Sequence, residues 1–204
     1  MNTTTQVPDS VDGRSARWAK HREQRRAELL DVARKVIHTD GPDVTMEDIA
    51  AASGTSKSIV YRYFSDKKQL QKALGLHILD GMHRRLVAEL TELEEAGGAV
   101  SVEDRIHAMV GAYVHTAEQS PGLYRFITRP SEGLNHFLAD SARLVAEAVP
   151  SEDPDRVLWS TGAIGFVRDA VDHWMALPAE DPERPTADTL ADALVRWLMK
   201  GLHS

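Results

Sequence analysis

Apolar residues recur every three or four positions along almost the whole chain, the spacing that places them on one face of an α-helix. From Ala16 onward, the alternation of apolar and polar positions that marks a β-strand is absent. Short segments with glycine, proline or serine interrupt the periodic pattern, as expected where helices end and begin. The pattern therefore predicts an all-α fold of about nine helices.

Local signals mark the boundaries of these helices. Gly41-Pro42 is predicted to stop the first helix, and Gly97-Gly98 to stop a long helix from Asp66 to about Ala96. Residues 1–15 lack periodicity and are rich in Thr, Asp and Ser, so we expect a disordered N-terminal arm. Side chains that can cap free backbone amides precede several predicted helices: Thr45 with Asp48, Ser56, Ser65, Ser101 with Asp104, Ser120 before Pro121, and Asp153 before Pro154.

Composition and charge narrow the class of protein. The chain has no cysteine, which excludes disulfides and Cys-ligated metals. No apolar run reaches membrane-spanning length and no signal peptide is recognisable, so we expect a cytoplasmic protein without membrane contact. Residues 1–72 carry 13 Lys/Arg and 10 Asp/Glu, whereas the remainder carries 11 and 21. A basic head on an acidic body is typical of a module that faces phosphate, although a chance excess of solvated charge gives the same count.

Residues 45–70 have the spacing of a helix-turn-helix. Two short helices that cross steeply need a small residue at the crossing, and Ala50 meets that need. Gly54 tolerates the positive φ of the turn, and Val60 provides an apolar anchor on the second helix. The other predicted members of this small core are Val36, Ile37, Ile49, Ile59 and Phe64.

This segment resembles the signature of the TetR family of transcriptional regulators. The matching residues, in order and spacing, are Thr45, Ile49, Ala50, Gly54, Ser56, Lys57, Tyr61, Tyr63, Phe64, Lys67 and Leu70. The resemblance covers roughly residues 24–75. It implies an N-terminal three-helix helix-turn-helix DNA-binding domain over residues 16–65 and a C-terminal helical ligand-binding and dimerisation domain over residues 66–204.

The function implied by the resemblance is that of a ligand-responsive transcriptional regulator. The expected protein is a homodimeric repressor that binds a palindromic double-stranded DNA operator and is released by a small, apolar effector. It is expected to use no cofactor or metal and not to be an enzyme.

The resemblance also implies which residues contact DNA. The second helix of the motif lies in the major groove, with its first turn nearest the bases. The candidate DNA-binding residues are Thr45, Thr55, Ser56, Lys57, Ser58, Tyr61, Arg62, Tyr63 and Lys67. Many relatives carry glycine at the position of Ser58, so the close approach of helix and DNA there differs in this chain. Half-buried packing is the alternative role for the tyrosines, and a solvated helix start is the alternative for Lys67.

A cluster of cations precedes the motif, with Glu23 the one acidic residue among them. Its members are Arg14, Arg17, Lys20, Arg22, Arg25 and Arg26. Such an arm can follow the DNA backbone or enter a narrow minor groove. A solvated helix start explains the same residues equally well.

The penultimate predicted helix has two apolar faces, so both must be covered. One face carries Trp159, Ala163, Phe166, Ala170 and Trp174, and the other carries Val157, Thr161, Ile164, Val171 and Met175. In the TetR family the last two helices of each subunit form a four-helix dimer interface. The final helix, with Leu190, Leu194, Trp197, Leu198 and Leu202, is compatible with that role. A monomer with a central helix is the alternative.

The family resemblance further implies a ligand cavity beside the long helix. Candidate lining residues are Met82, Leu86, Met109, Tyr113, Phe126, Phe137, Trp159 and Phe166. Their apolar and aromatic character favours an apolar ligand with one or two polar groups, which Tyr113, Arg129 or Asn135 would meet. For each of them, ordinary core packing is the alternative.

A rival hypothesis is a helical ligand-binding protein or metal-dependent enzyme without a DNA role. His136 with Asp140, and Asp169 with His173, stand four residues apart, as metal ligands on a helix can. Neither pair has an identifiable third ligand, and helix-surface ion pairs explain both.

Overall fold

Nine α-helices and no β-strand make up the part of the chain that the structure, a computed structural model, describes: residues 10–95, 97–148 and 155–202. The helices are α1 (Ser10–Asp40), α2 (Met46–Ala52), α3 (Lys57–Tyr63), α4 (Lys67–Glu95), α5 (Val102–Gln119), α6 (Pro121–Thr128), α7 (Glu132–Ala148), α8 (Arg156–Ala176) and α9 (Ala187–Leu202). The all-α prediction is confirmed. Within the described ranges no helix is long and apolar enough to cross a lipid bilayer.

The first helix begins earlier than predicted. It starts at Ser10, inside the segment expected to be a disordered arm, whereas residues 1–9 lie outside the described residues. Between Arg14 and Ala27 the chain consists mostly of Arg, Lys, Glu, Gln and Ala, which favour helix and include no proline. The basic residues before the motif therefore lie on a helix.

Two capping boxes hold the starts of α2 and α5, as predicted. The Thr45 amide donates to Asp48 Oδ2 at 2.8 Å, and the Asp48 amide donates to Thr45 Oγ1 at 3.2 Å. Ser101 and Asp104 repeat this arrangement at 2.9 and 3.1 Å. In both boxes the hydrogen bonds from the hydroxyl residue hold the pKa of the carboxyl below its usual range.

Three other predicted caps differ in the structure. Ser120 precedes α6, but its hydroxyl hydrogen-bonds to the His38 ring at 2.7 Å and makes no cap bond. The Ser56 hydroxyl bonds to the Ser58 hydroxyl at 2.9 Å and makes no cap bond. Asp66, not Ser65, caps α4, because its carboxylate accepts the Gln69 amide hydrogen at 2.8 Å. The predicted Asp153-Pro154 start lies outside the described residues.

The first hydrophobic cluster, which we call the reading cluster, joins α1, α2 and α3 to the start of α4 and to α6. Its buried members are Leu29, Leu30, Ala33, Ile37, Val44, Met46, Ile49, Ala50, Val60, Phe64, Leu70, Ala73, Leu74, Leu123, Phe126 and Ile127. Most of the largest fully buried side chains of the molecule belong to it. The helix-turn-helix is therefore packed against the body as well as against itself.

The second cluster, the body cluster, lies between α5, α8 and α9. Its buried members are Ile106, Val110, Val114, Ala117, Tyr124, Ala163, Val167, Val171, Trp174, Ala187, Leu190, Ala191, Leu194, Val195 and Leu198. The Trp174 indole N–H donates to the Pro185 carbonyl at 2.8 Å, which ties the loop before α9 to α8.

Helix α6 is the short element that both clusters share. Three of its buried side chains lie in the reading cluster, whereas Tyr124 lies in the body cluster. Gly122 allows its close approach to α1, since a Cβ there would lie 3.0 Å from the Ile37 carbonyl oxygen. The buried Gln71 amide donates to the Ile127 and Arg129 carbonyls at 2.8 and 2.7 Å. The close approach at Gly122 joins α6 to the reading unit, by which we mean α1–α3, and the Gln71 hydrogen bonds join it to the start of α4.

Candidate functional site

The helix-turn-helix has the geometry that its sequence predicts. Gly54 has a φ of +63°, and Ala50 is buried where α2 and α3 cross. The Thr55 amide donates to the Ala50 carbonyl at 3.0 Å, which closes the turn. Val60 is fully buried and anchors α3, the reading helix, in the reading cluster.

The outer face of the reading helix is exposed and carries several of the candidate DNA-binding residues. Lys57, Ser58, Tyr61 and Arg62 are all exposed. Ile59, predicted to lie in the core, is instead 37% exposed, because its neighbour Val60 points inward. The exposed face thus combines two cations and two hydroxyls with one apolar side chain.

Lys57 is already paired within the protein. Its ammonium donates to the Glu47 carboxylate on α2 and lies 5.5 Å from the centre of the Tyr61 ring. The hydrogen bond and charge of Glu47 raise the pKa of Lys57, and Lys57 lowers the pKa of Glu47. Sequence inspection did not identify Glu47, because the pair spans ten positions and forms only when the two helices cross.

The other candidate DNA-binding residues are distributed around the reading helix. Thr55 is half-buried in the turn and Ser56 is exposed. Tyr63 is half-buried against the reading cluster, with the Arg62 guanidinium 5.9 Å from its ring centre. Of the two tyrosines, Tyr61 therefore has the more accessible ring.

Thr45 and Lys67 make internal contacts. The Thr45 hydroxyl donates to the Asp48 carboxylate at 2.7 Å as part of the capping box. The Lys67 ammonium donates to the Pro42 carbonyl at 3.5 Å and lies 5.5 Å from the centre of the Phe126 ring. Burial, with the nearby Arg129 charge, lowers the pKa of Lys67. Lys67 thus links the reading unit to α6 in the free protein.

A cavity of about 140 Å³ lies in the body, bounded by α4, α5, α7, α8 and α9. Six predicted lining residues lie along it: Met82, Leu86, Met109, Tyr113, Phe137 and Trp159. Most of the other lining side chains are aliphatic, and the polar exceptions are His83 and Ser141. The sequence analysis did not single out either of these two.

Two predicted lining residues lie elsewhere. Phe126 is buried in the reading cluster beneath Lys67, and Phe166 lies 41% exposed on the outside of α8. The predicted polar groups Arg129 and Asn135 are also exposed and do not line the cavity. Arg129 instead forms a 2.8 Å ion pair with Asp43 and thereby lowers the pKa of that carboxyl.

A chain of hydrogen bonds leads from the cavity wall to the surface. Tyr113 donates to the Tyr124 hydroxyl at 3.4 Å, and Tyr124 donates to the Asp172 carboxylate at 2.6 Å. Burial raises the pKa of Tyr113 to about 12 and also raises the pKa of Tyr124. Both phenols therefore stay protonated near neutral pH, and the direction of donation is set by Asp172, which only accepts.

An exposed apolar face covers the outer side of α8 and α9. Phe166 and Trp197 form an edge-to-face pair with ring centres 5.9 Å apart. Trp197 on α9 is 53% exposed, and Leu158 on α8 is 71% exposed. The inner side of α8 is buried through Ala163, Val167 and Val171. The two predicted apolar faces are therefore not separate in the structure, because each has both buried and exposed members: Ala163 and Val171 are buried, whereas Phe166 and Val157 are exposed.

The candidate metal pairs do not assemble into a site. The His136 ring bonds to the Glu132 carbonyl, Asp140 pairs with Arg143 and Lys72, and Asp169 pairs with Arg168. No group of three His, Cys, Asp or Glu able to hold a metal occurs in the described part of the chain.

Comparison with known sequences agrees with the geometry of the reading unit. The family described as bacterial regulatory proteins, tetR family, matches residues 29–74. An HTH-type transcriptional regulator from Mycobacterium tuberculosis is 30% identical over 205 residues, covering 92% of this chain and 81% of its own length. The DNA-binding transcriptional repressor TetR from Mycobacteroides abscessus is 33% identical over 150 residues, covering 67% and 76%.

Solved structures share the fold of most of the chain. A tetR-family transcriptional regulator from Streptomyces coelicolor superposes with a TM-score of 0.60 at 20% identity, covering 86% of this chain and 81% of its own. RolR in complex with the ligand resorcinol superposes with a TM-score of 0.55 at 23% identity, covering 88% and 89%. Because the family matches residues 29–74, and two transcriptional regulators at least 30% identical are covered over 81% and 76% of their lengths, this chain belongs to the TetR family of DNA-binding transcriptional regulators.

Proposed function

We propose that the protein is a homodimeric repressor that binds a near-palindromic operator and is released by a small, largely apolar effector in the body cavity. The observation that carries the proposal is the reading helix, whose outer face exposes Lys57, Ser58, Tyr61 and Arg62. A solvated helix needs none of these groups in that arrangement, whereas a helix in the major groove uses all of them.

Each exposed side chain has a chemical role in a DNA groove. Arg62 and Lys57 suit guanine O6 and N7, and the exposed Ile59 suits the thymine methyl group. Hydroxyl groups, on Thr55, Ser56, Ser58, Tyr61 and Tyr63, suit phosphate oxygens and base edges. We therefore assign sequence reading to the face of α3 that carries Lys57 and Arg62.

Thr45 and Lys67 are proposed to contact phosphate at the edge of this surface. Lys67 reaches DNA only by leaving Phe126 and the Pro42 carbonyl. Its contribution to DNA binding is therefore smaller than that of a free lysine, because the internal contacts are lost when it turns outward.

The DNA test uses a duplex of the intergenic segment beside the coding gene, followed by fluorescence anisotropy. Arg62→Ala should alter sequence preference at about 1–3 kcal/mol per lost base contact. Lys57→Ala should alter it by less, because Lys57 must leave Glu47 before it contacts a base. Arg85→Ala, an exposed arginine on α4 in the body, is the control and should bind as the wild type does. If the wild-type protein bound neither this duplex nor any selected from a random pool, the repressor proposal would fail.

The proposed dimer places the exposed Phe166–Trp197 face against a second copy of itself. One reading helix per chain and a two-fold axis give two half-sites about 34–36 Å apart, or a small multiple of that distance. Trp197→Glu should yield a monomer by light scattering and abolish tight operator binding. Val87→Glu, at another exposed apolar position, is the matched control. A monomeric wild-type protein that binds the operator tightly would contradict the proposal.

The size and walls of the cavity define the proposed effector. A cavity of similar size lined by apolar side chains accommodates a molecule of about the size of benzene. RolR, which has the same fold, was crystallised with resorcinol. A single aromatic ring, or an aliphatic group of similar size, therefore suits this cavity.

The hydrogen-bond chain defines the polar group of that effector. The Tyr113 hydroxyl donates its hydrogen bond to Tyr124, and the Tyr124 hydroxyl donates its own to Asp172. The Tyr113 hydroxyl can then only accept from a ligand, so we propose an effector that carries a hydrogen-bond donor. His83 has no hydrogen-bond partner among the described residues and provides a second polar contact at the same cavity.

Two helices connect the cavity to the reading unit. Helix α4 lines the cavity through Met82 and Leu86 and enters the reading cluster through Leu70 and Leu74. Helix α6 makes the second connection through Tyr124. An effector shifts the equilibrium only if it binds the DNA-incompetent arrangement more tightly. A coupling free energy of about 1–3 kcal/mol would weaken operator binding by roughly 5- to 150-fold.

Three single-ring probes test the effector proposal. Phenol carries a donor, anisole carries only an acceptor, and toluene carries neither. Calorimetry should rank phenol first, and Tyr113→Phe should remove its advantage over toluene. Met109→Trp, which fills the cavity, should prevent binding of all three. Equal binding of phenol and anisole would contradict the donor rule. Saturating phenol that leaves operator affinity unchanged would contradict the coupling.

A further inference from the structure

The first half of α1 projects beyond the rest of the reading unit. Every residue from Ser15 to Gln24 is exposed, and the first buried side chains of the helix are Leu29 and Leu30. With a rise of about 1.5 Å per residue, Ser15 lies about 21 Å along the helix axis from Leu29. This segment, residues 15–24, is called the N-terminal projection below.

The N-terminal projection is basic and has little apolar surface. Over residues 15–26, Glu23 is the single acidic side chain. The cations are Arg17, Lys20, Arg22, Arg25 and Arg26. Trp18 is the one large apolar residue in the N-terminal projection, and it is 70% exposed. A helix that rested on the protein or on a bilayer would carry a stripe of large apolar residues, and this one does not.

The direction of the N-terminal projection follows from helical periodicity. The inner face of α1 buries Leu29 and Ala33, and steps of three to four residues backward along that face reach Arg26, Arg22 and then Trp18. The Arg26 guanidinium lies 5.5 Å from the centre of the ring of Phe64, which ends the reading helix. Arg22 and Trp18 therefore continue the inner face beyond the end of α3.

Lys20 provides an internal comparison on the same segment. It lies two positions before Arg22, so the two side chains point about 200° apart around the helix axis. Both are exposed cations without an ion-pair partner among the described residues. They differ in the face of α1 from which they project.

We propose that Arg22 and Trp18 form a second DNA-contacting surface, which binds the sugar-phosphate backbone flanking the half-site read by α3. The inference rests on the proposed function. Arg22 pairs with a phosphate, and the Trp18 indole N–H donates to a phosphate oxygen. Charge complementarity and continuity with the end of the reading helix both favour DNA as the partner of this surface.

The test compares two duplexes with the same operator, which is selected from a random pool by the wild-type protein. One duplex ends at the half-sites, and the other extends about ten base pairs further at each end. Arg22→Ala should reduce the salt dependence of binding to the long duplex by about 0.9 in slope per chain, or about 2 per dimer. Lys20→Ala should leave the slope unchanged. On the short duplex both variants should match the wild-type protein.

Fluorescence of Trp18 gives an independent readout. The difference between wild type and Trp18→Phe in acrylamide quenching isolates this indole from the other three tryptophans. The long duplex should protect it at least two-fold, and the short duplex should not.

Each failure has its own meaning. Equal slopes for Arg22→Ala and Lys20→Ala, with Trp18 still fully quenched on the long duplex, would overturn the inference and leave the repressor proposal intact. Protection of Trp18 by phosphatidylserine vesicles but not by DNA would overturn it in favour of a lipid surface. If the wild-type protein selected no operator from the random pool, that result would contradict the proposed function instead.

Discussion

The reading cluster and the body cluster are of similar size, but they are packed differently. The reading cluster contains most of the fully buried large side chains, including Phe64, Ile49 and Leu70. The body cluster borders a cavity of about 140 Å³ and includes Tyr124, whose hydroxyl hydrogen-bonds to Asp172. Close-packed interiors resist deformation, whereas a cavity lets side chains rearrange around a ligand. The difference suits a molecule that presents a fixed surface to DNA and changes shape elsewhere.

The largest effect is expected from a truncation in the reading cluster. Phe64→Ala should lower the free energy of unfolding by about 3–5 kcal/mol, because a fully buried ring leaves a cavity in a packed core. Urea denaturation measures this change. Tyr61→Ala, on the exposed side of the same helix, should leave stability within about 0.5 kcal/mol of the wild type. Similar losses for both variants would show that the reading cluster is less well packed than described.

The hydrogen-bond chain from Tyr113 through Tyr124 to Asp172 should give the next largest effect on stability. Tyr124→Phe removes a hydrogen bond to a carboxylate and leaves the Tyr113 hydroxyl without its acceptor, which should cost about 1.5–3 kcal/mol in unfolding free energy. Tyr113→Phe keeps the bond to Asp172 and should cost less. The reverse order in thermal or urea unfolding would contradict the assigned direction of donation.

Enlarging a small residue in each cluster tests the difference in packing directly. Ala50→Leu, at the crossing of α2 and α3, should destabilise by about 1–3 kcal/mol, because no space is available there. Ala163→Leu lines the cavity and should be nearly neutral while weakening phenol binding. Equal destabilisation by the two variants would show that the reading cluster and the body cluster do not differ in packing.

The smallest expected effect is common to both regions. Asp48 and Asp104 have pKa values below the ordinary 3.8, because Thr45 and Ser101 donate to their ionised forms. A lowered pKa in the folded state stabilises the fold above 3.8, and that contribution is lost as the pH falls through the folded-state value. Asp48→Asn and Asp104→Asn should each reduce the acid sensitivity of the melting temperature by similar, small amounts. A marked inequality would mean that the two boxes differ despite their matching geometry.

Features set by neighbours in sequence were predictable. The two capping boxes and the positive φ of Gly54 depend on residues within one or two turns. The resemblance of residues 45–70 to a known signature supported the helix-turn-helix. These features follow from local physical chemistry, so a single sequence carries them.

Features set by packing between helices were not predictable. Periodicity identifies the apolar face of a helix but not the neighbour that covers it. Phe126 and Phe166 were therefore assigned to the cavity although one packs under Lys67 and the other faces outward. Ile59 and Val60 are adjacent and equally apolar, and only the docking of α3 decides which is buried. No residue near Glu47 in the sequence indicates its ion pair with Lys57, because the two residues lie on different helices.

If Lys57 contacts DNA as proposed, the Glu47–Lys57 ion pair would affect how quickly an operator is found. A regulator searches a chromosome by sliding and hopping along DNA of unrelated sequence, held there by phosphates. A phosphate that takes Lys57 must displace a carboxylate, so it exchanges one anionic partner for another and gains little. Residence on unrelated DNA would be shortened as a result, and more of the search time would be spent moving. Glu47 would thereby compete with phosphate for Lys57 and favour a fast search over long retention on unrelated DNA.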